Sequence, residues 1–174
     1  MKHMDNKGSA GLDILLYAFA FLVFLAFPVY SVVMEKAVIN IKSSEIIDAI
    51  DLANTAIYKD INVMDTSITV VDFNTEIGNT YKKILAENLK LEPDMTPAEN
   101  SVAEGTVIVN SVIVYPGGFP LICPNGRTID RPAVHSTVTV PVKPSLYREL
   151  ILNMAGLPRF ELVIHRDTEL PVNN

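Results

Sequence analysis

The chain has 174 residues, of which 49% are apolar, and a formal net charge of −6. Nucleic-acid binding needs a basic stripe, and this acidic sequence lacks one, so we expect no nucleic-acid partner. A single cysteine, Cys123, excludes an internal disulfide bond. Without its first 34 residues the chain keeps about 140, enough for one modest domain.

The tail before the first apolar segment carries a short pattern of basic, small and acidic residues. Lys7 and Gly8 precede Ser9, and Asp13 lies at the start of the apolar run. If the chain is cut after Gly8, Ser9 becomes the new N-terminus and Asp13 becomes its fifth residue. If it is not cut, we expect Asp13 at headgroup depth in the first turn of a helix, where negative charge is tolerated.

This pattern resembles the leader of prepilins, the precursors of type IV pilins and pseudopilins. The resemblance implies that a prepilin peptidase cuts between Gly8 and Ser9, so that residues 1–8 are a cytoplasmic leader. It also implies that the Asp13 carboxylate pairs with the free amine of a neighbouring subunit during assembly. A buried carboxylate beside an ammonium group costs far less than either charge alone.

Residues 14–34 form an apolar run without one charged side chain. A helix of about 20 such residues crosses the roughly 30 Å hydrocarbon core of a bilayer, where backbone polar groups must pair internally. We therefore expect residues 9–34 to form a transmembrane helix in contact with lipid. The alternatives are a buried helix of a soluble domain and a removable secretory signal.

The charges around this run predict its orientation in the membrane. Lys2 and Lys7 lie just before the run, offset by Asp5, whereas Glu35 and Lys36 follow it. The positive-inside rule therefore predicts a cytoplasmic N-terminus and an extracytoplasmic C-terminal domain.

Helical periodicity continues beyond the membrane run, because residues 37–61 contain no glycine or proline. Apolar residues recur at helical spacing along one stripe, namely Ile39, Ile46, Ile50, Ala53, Ile57 and Ile61. Largely off this stripe lie Glu45, Asp48, Asp51 and Lys59. We predict an amphipathic stem helix over residues 35–61, whose stripe packs on the following domain or on neighbouring subunits. Pro28 predicts a bend or a loosened turn, and the alternative is two helices broken near Pro28 or Asn40.

Residues 62–174 predict a small α+β head with one or two helices and a three-stranded antiparallel sheet. Asn74 or Thr75 caps a helix that ends near Asn88, and a second, short helix follows at residues 144–156. The strands are expected at residues 106–115, 134–142 and 159–169, with a long loop between the first two. In the second strand five residues face one way, namely Val134, Ser136, Val138, Val140 and Val142, and three face the other, namely His135, Thr137 and Thr139.

The end of the chain combines an alternating valine strand, a Lys-Pro bend at residues 143–144, a short apolar helix and a closing strand with a basic residue. Together with residues 7–34, this order is similar to TadE-like proteins, which are pilin-like minor subunits of tight-adherence secretion systems and related conjugation-type machines. The resemblance implies a membrane-inserted subunit without enzymatic activity. It implies processing by a prepilin peptidase and assembly with other pilin-like subunits, and it brings no catalytic residues.

Nucleotide-binding, hydrolase and metalloprotease motifs do not occur in the sequence, so we expect no cofactor, no metal and no catalytic site. Two rival functions stay open. The first is an uncleaved single-pass anchor for a cell-envelope binding domain. The second is a small membrane-tethered enzyme in which His135, His165 and Cys123 form a metal or nucleophile site. Against this second rival, we interpret both histidines as ordinary exposed strand residues.

Overall fold

The structure, a computed structural model, describes residues 7–58, 68–143, 148–149, 153–154, 156 and 160–170. It is an α+β protein in which one long N-terminal helix is followed by a small head with a helix and an antiparallel sheet. Three residues of the predicted stem, Lys59, Asp60 and Ile61, lie outside the described residues, as does most of the predicted helix over residues 144–156.

The N-terminal helix runs without a break through three segments: α1 (Lys7–Phe21), a π-helical turn (Leu22–Ala26) and α2 (Phe27–Tyr58). Its part from Gly11 to Tyr58 has 48 residues, a length of about 72 Å. Just before Pro28, the N–H of Phe27 donates to the carbonyl of Leu22, five residues back. Proline has no N–H, and its ring clashes with the carbonyl four residues earlier, so the wider turn relieves both problems. The predicted loosening near Pro28 is confirmed, whereas the helix continues through Asn40.

The first half of this long helix is not covered by the head, and we call it the bare half. None of its most apolar 18-residue window is buried against the other described residues, and Ile14 and Phe24 are 70% and 79% exposed. The helix is long and apolar enough to cross a membrane. The alternative of a helix buried in a soluble core does not apply to this segment in the described structure.

The second half of the helix enters the core of the head. Ile46, Ile50, Ala53 and Ile57 are fully buried, and they pack in one hydrophobic cluster with the next helix and the sheet. The predicted stripe is therefore confirmed from Ile46 to Ile57, while Ile39 is only partly buried. Of the two partners considered for this stripe, the head of the same chain covers it.

The helix α3 (Glu76–Leu89) packs against α2. Thr75 is its N-cap, and the Thr75 hydroxyl oxygen accepts a hydrogen bond from the backbone N–H of Gly78 at 3.3 Å. Tyr81, Leu85 and Leu89 form its buried face. The predicted helix and one of its two proposed caps are thus confirmed.

The main sheet has four strands in the order β1-β2-β5-β6, and every neighbouring pair is antiparallel. Its strands are β1 (Thr69–Val70), β2 (Ile108–Tyr115), β5 (Ala133–Pro141) and β6 (Glu161–Glu169); a separate hairpin pairs β3 (Leu121–Ile122) with β4 (Thr128–Ile129). The three long strands match the three predicted ones, but the prediction of a three-stranded sheet is wrong. The additional strands have two residues each, too short for an alternating pattern to show in the sequence.

Different elements pack on the two faces of the sheet. Val134, Ser136, Val138 and Val140 are buried beneath α2 and α3, as the alternation predicts. The β3–β4 hairpin occupies the predicted long loop and packs a second, smaller cluster on the opposite face. Because α2 and α3 cover one face of the sheet and the hairpin covers part of the other, β5 is buried on both faces along most of its length.

Candidate functional site

The residues predicted to act in processing and assembly lie together at the start of the long helix. Gly8 and Ser9 belong to α1, and Asp13 follows on the same helix, about 7.5 Å of axial rise beyond Gly8. The Asp13 side chain is exposed. The helix therefore presents this carboxylate to its surroundings and does not bury it in the head.

An ion pair with two parallel hydrogen bonds joins the long helix to the last strand. The Nε of Arg166 donates to Asp51 Oδ1 at 2.8 Å, and its Nη2 donates to Oδ2 at 2.5 Å. Thr168 adds a hydroxyl donor to Asp51 Oδ1 at 2.5 Å. The hydrogen bonds from Arg166 to Asp51 raise the pKa of the guanidinium further. Asp51 is thus a structural contact of the head and not a residue of a solvated stem face.

Asn54, one helical turn after Asp51, extends this polar contact into the core. It is fully buried, its amide nitrogen donates to Thr168 Oγ1 at 2.7 Å, and its carbonyl oxygen accepts from the Ser136 hydroxyl. The sequence alone did not assign Asp51 or Asn54 to a site. The one feature that could have indicated them is their position on the helix surface, where they flank the buried residues Ile50 and Ala53.

Two further contacts join the head to the N-terminal half of α2. Glu35, the first residue after the apolar run, is buried, and its Oε1 lies 3.9 Å from Nη1 of Arg148. Arg148 also stacks over the Phe160 ring, at 4.4 Å from the ring centroid. The Lys42 ammonium donates to the carbonyl of Lys143 at 2.9 Å. The head is therefore tied to α2 from Glu35 onward, immediately beyond the bare segment.

A separate cluster of reactive side chains lies under the β3–β4 hairpin, on the other face of the sheet. His135 is fully buried, and its Nδ1 lies 2.6 Å from Asp167 Oδ1. The Cys123 thiol donates to Asp167 Oδ2 at 3.8 Å. One potential ligand atom from each of the three residues lies within 4.8 Å of the others. We call Cys123, His135 and Asp167 the hairpin cluster.

Polar groups surround the hairpin cluster at the edge of a small apolar core. The Nη1 of Arg127 lies 3.9 Å from Asp167 Oδ2. Burial raises the pKa of the Tyr115 phenol, and the nearby Cys123 and Asp167 raise it further. The turn at residues 124–126 closes the hairpin with a hydrogen bond from the Gly126 N–H to the Cys123 carbonyl at 2.8 Å.

The two histidines differ in exposure. The interpretation of His135 as an exposed strand residue is wrong, because the hairpin covers it, whereas His165 is exposed as expected. The Thr137 hydroxyl lies between them, 3.4 Å from Nε2 of His135 and 3.1 Å from Nδ1 of His165. The third residue of the hairpin cluster is Asp167. The rival hypothesis of a metal or nucleophile site had placed His165 there. Only the register of β6, which pairs His135 with Asp167, brings the aspartate there.

The hydrogen-bond order in the hairpin cluster does not suit a cysteine nucleophile. A nucleophilic cysteine needs a base beside its thiol. Here the thiol bonds to the carboxylate and the carboxylate to the imidazole, and no hydrogen bond among the described residues joins thiol and imidazole directly. The arrangement resembles a set of three ligands more than a catalytic triad.

Comparisons with known proteins add no family to this geometry. No family model matches the sequence, no curated protein matches it significantly, and no solved structure does so either.

Proposed function

We propose that this chain is a pilin-like, TadE-like minor subunit of a tight-adherence, type IV pilus or related secretion or conjugation machine. It acts by assembly and not by catalysis. Its N-terminal helix spans the bilayer with the N-terminus in the cytoplasm, its head is extracytoplasmic, and its partners are lipid and other pilin-like subunits.

The observation that carries this proposal is that the two halves of one continuous helix have different surroundings. From Gly11 to about Met34 the helix is apolar and bare, while from Ile46 to Ile57 it is a core element of the head. Because the helix is continuous, a shift or rotation of its membrane half moves the head with it. Because the head covers the stem stripe, lateral association is left to the bare half, where Asp13 is exposed.

The prepilin-like order of Lys7, Gly8, Ser9 and Asp13 supports a subunit that is processed before it assembles. A free amine at Ser9 and a carboxylate at Asp13 are complementary charges about 6 Å apart along the helix axis, so they can meet between neighbouring helices that are offset by about one turn. In a low-dielectric surrounding such a pair is far better than either charge alone. The alternative is an uncleaved single-pass anchor for a cell-envelope binding domain, in which residues 1–8 stay attached.

Intact-mass spectrometry of the mature protein separates these two functions. The full chain, with an affinity tag after Asn174, is produced in a bacterial host with an active prepilin peptidase and purified from membranes in detergent. We expect a species that begins at Ser9 and lacks residues 1–8. A Gly8→Val variant should keep the leader, because its larger side chain blocks the cleavage site.

The matched control is Gly11→Ala, since Gly11 lies three residues beyond the proposed cleavage site and a Cβ there meets no atom within 4 Å. This variant should be processed like the wild type. A wild-type chain that keeps all of residues 1–8 in this host contradicts the pilin-like function and favours the uncleaved anchor.

A further inference from the structure

The hairpin cluster combines three side chains of different chemistry from three elements of the head. Cys123 ends the first half of the β3–β4 hairpin, His135 comes from β5 and Asp167 from β6. Cys123 is 3% exposed, His135 is fully buried and the Asp167 side chain is 8% exposed. Thiolate, imidazole and carboxylate are the three side-chain ligands that zinc uses in proteins.

We propose that Cys123, His135 and Asp167 bind one divalent transition-metal ion, with Zn²⁺ as the preferred ion, and that this ion fastens the hairpin to the sheet. The site goes beyond the assembly function proposed above and does not depend on it. The sequence offered Cys123 and His135 together with His165, whereas the structure places Asp167 as the third side chain; the three ligands are 12 and 32 residues apart in the chain and form no short metal motif.

The distances suit an ion at the centre of the three side chains. In a tetrahedral site, with metal–nitrogen and metal–oxygen distances near 2.0–2.1 Å and metal–sulfur near 2.3 Å, the ligand atoms lie about 3.3–3.6 Å apart. Here His135 Nδ1 lies 2.6 Å from Asp167 Oδ1, the Cys123 sulfur lies 3.8 Å from Asp167 Oδ2, and one ligand atom from each residue lies within 4.8 Å of the others. Shifts of about 1 Å, within the reach of side-chain rotation, bring the three atoms to tetrahedral spacing.

A second layer of contacts orients the imidazole as metal-binding histidines require. Such a histidine binds with one ring nitrogen and hydrogen-bonds through the other, which fixes its tautomer. The Nδ1 of His135 faces the cluster, and its Nε2 lies 3.4 Å from the Thr137 hydroxyl. Thr137 in turn lies 3.1 Å from Nδ1 of the exposed His165. Thr137 is therefore a positioning residue that accepts from Nε2–H and donates to His165.

The charges and protons balance for a divalent ion. On binding, the Cys123 thiol loses its proton to the buffer, and His135 binds as the neutral imidazole with its proton on Nε2. The thiolate and the Asp167 carboxylate then neutralise the two positive charges of the ion. A thiolate ligand favours Zn²⁺ and Co²⁺ over Mg²⁺ and Ca²⁺, which prefer oxygen ligands. The fourth position of the ion is left to water.

Cobalt spectroscopy of the full chain in detergent micelles tests this site. Because Cys123 is the only thiol, a thiolate-to-Co²⁺ charge-transfer band can come from no other residue of one chain. The protein carries an affinity tag without histidine and is kept reduced. We expect the band to saturate at one equivalent of Co²⁺ and to disappear on addition of Zn²⁺. Wild-type protein without this band overturns the proposal, whatever the variants do.

Variants then assign the ligands. Cys123→Ser should remove the band and weaken Co²⁺ binding, and Asp167→Asn should weaken it, each by at least about 100-fold, whereas Thr137→Val should weaken it about 10- to 100-fold. The matched control is Asp48→Asn, which removes an exposed carboxylate on α2, outside the cluster, and should change nothing. Circular dichroism confirms that each variant is folded. Unchanged affinity in folded Cys123→Ser or Asp167→Asn protein contradicts the assignment.

Discussion

Asp51 and Arg166 are 115 residues apart in sequence and form a forked ion pair between α2 and β6. A guanidinium that meets a carboxylate with two parallel bonds fixes direction as well as distance. Asn54, Thr168 and Ser136 continue the contact, so a polar seam runs along the otherwise apolar junction of helix and sheet. These directional bonds favour one rotation of the long helix against the head, in addition to the apolar packing around them.

Arg166→Lys should destabilise the head although it keeps the charge. Lysine offers a point charge and loses the fork, so we expect a loss of about 1–3 kcal/mol in the free energy of unfolding, and a similar loss for Asp51→Asn. The measurement is urea unfolding of the full chain in micelles, followed by circular dichroism. Asp48→Asn is the control, because Asp48 is exposed and the substitution removes the same charge. Equal stability of Arg166→Lys and wild type argues against a structural role for the fork.

Gly78→Ala tests how closely α3 approaches the preceding turn. A Cβ at Gly78 would overlap the carbonyl oxygen of Asp72 and lie 2.5 Å from Cα of Phe73. Backbone atoms cannot give way as a flexible side chain does, so we expect a loss of at least about 2 kcal/mol. Gly11→Ala has open space at its Cβ and should unfold like the wild type. A neutral Gly78→Ala variant would show that the turn at residues 72–75 moves freely.

The periodic parts of the fold could be predicted from the sequence, because each depends on a repeat that burial imposes on one element. The helical spacing of Ile46, Ile50, Ala53 and Ile57 and the alternation in β5 both reappear as buried faces. The cap at Thr75 could be predicted for a local reason, since a hydroxyl there satisfies a helix N–H without help from the rest of the fold.

The parts that depend on two distant segments could not be predicted in this way. His135 lies on the polar side of its strand, and nothing local tells that a hairpin will cover it. Asp167 joins His135 only through the register of β5 and β6, and Cys123 joins them only because the turn at residues 124–126 folds its strand over the sheet. The same holds for Asp51, because only its ion pair with Arg166 on β6 makes this charged helix residue part of the contact between helix and sheet.

Tyr81→Phe should leave the head at least as stable as the wild type and flatten its response to alkaline pH. Among the described residues the buried Tyr81 hydroxyl has no hydrogen-bond partner of good geometry, although Ser136 lies beside it. Removing the hydroxyl should therefore be neutral or gain up to about 1 kcal/mol. Burial also raises the pKa of this phenol above its ordinary value of 10.0. Unfolding exposes the phenol and lets it ionise, so the stability held below pH 10 is lost as the pH rises beyond it.

The measurement for Tyr81 is urea unfolding at pH 8 and again about one unit above the ordinary pKa of tyrosine. Wild type should lose more stability between the two than Tyr81→Phe does. Leu85→Ala, in the same buried face of α3, should lose about 2–5 kcal/mol at both pH values, because its effect is a cavity and not an ionisation. An identical pH response in wild type and Tyr81→Phe contradicts the assignment to this phenol.

Asp13→Ala tests whether the exposed carboxylate at the start of the long helix acts in assembly. The substitution removes a negative charge from a bare helix and touches no described contact of the head, so membrane insertion and head stability should be unchanged. Without a partner for the free amine of a neighbouring subunit, incorporation into assemblies should fall at least about tenfold. Asp13→Glu keeps the charge and should retain most of the assembly. Crosslinking and co-purification with differently tagged subunits measure incorporation, and carbonate extraction measures insertion. If Asp13→Ala protein inserts into the membrane and is incorporated as well as the wild type, the Asp13 carboxylate has no role in assembly.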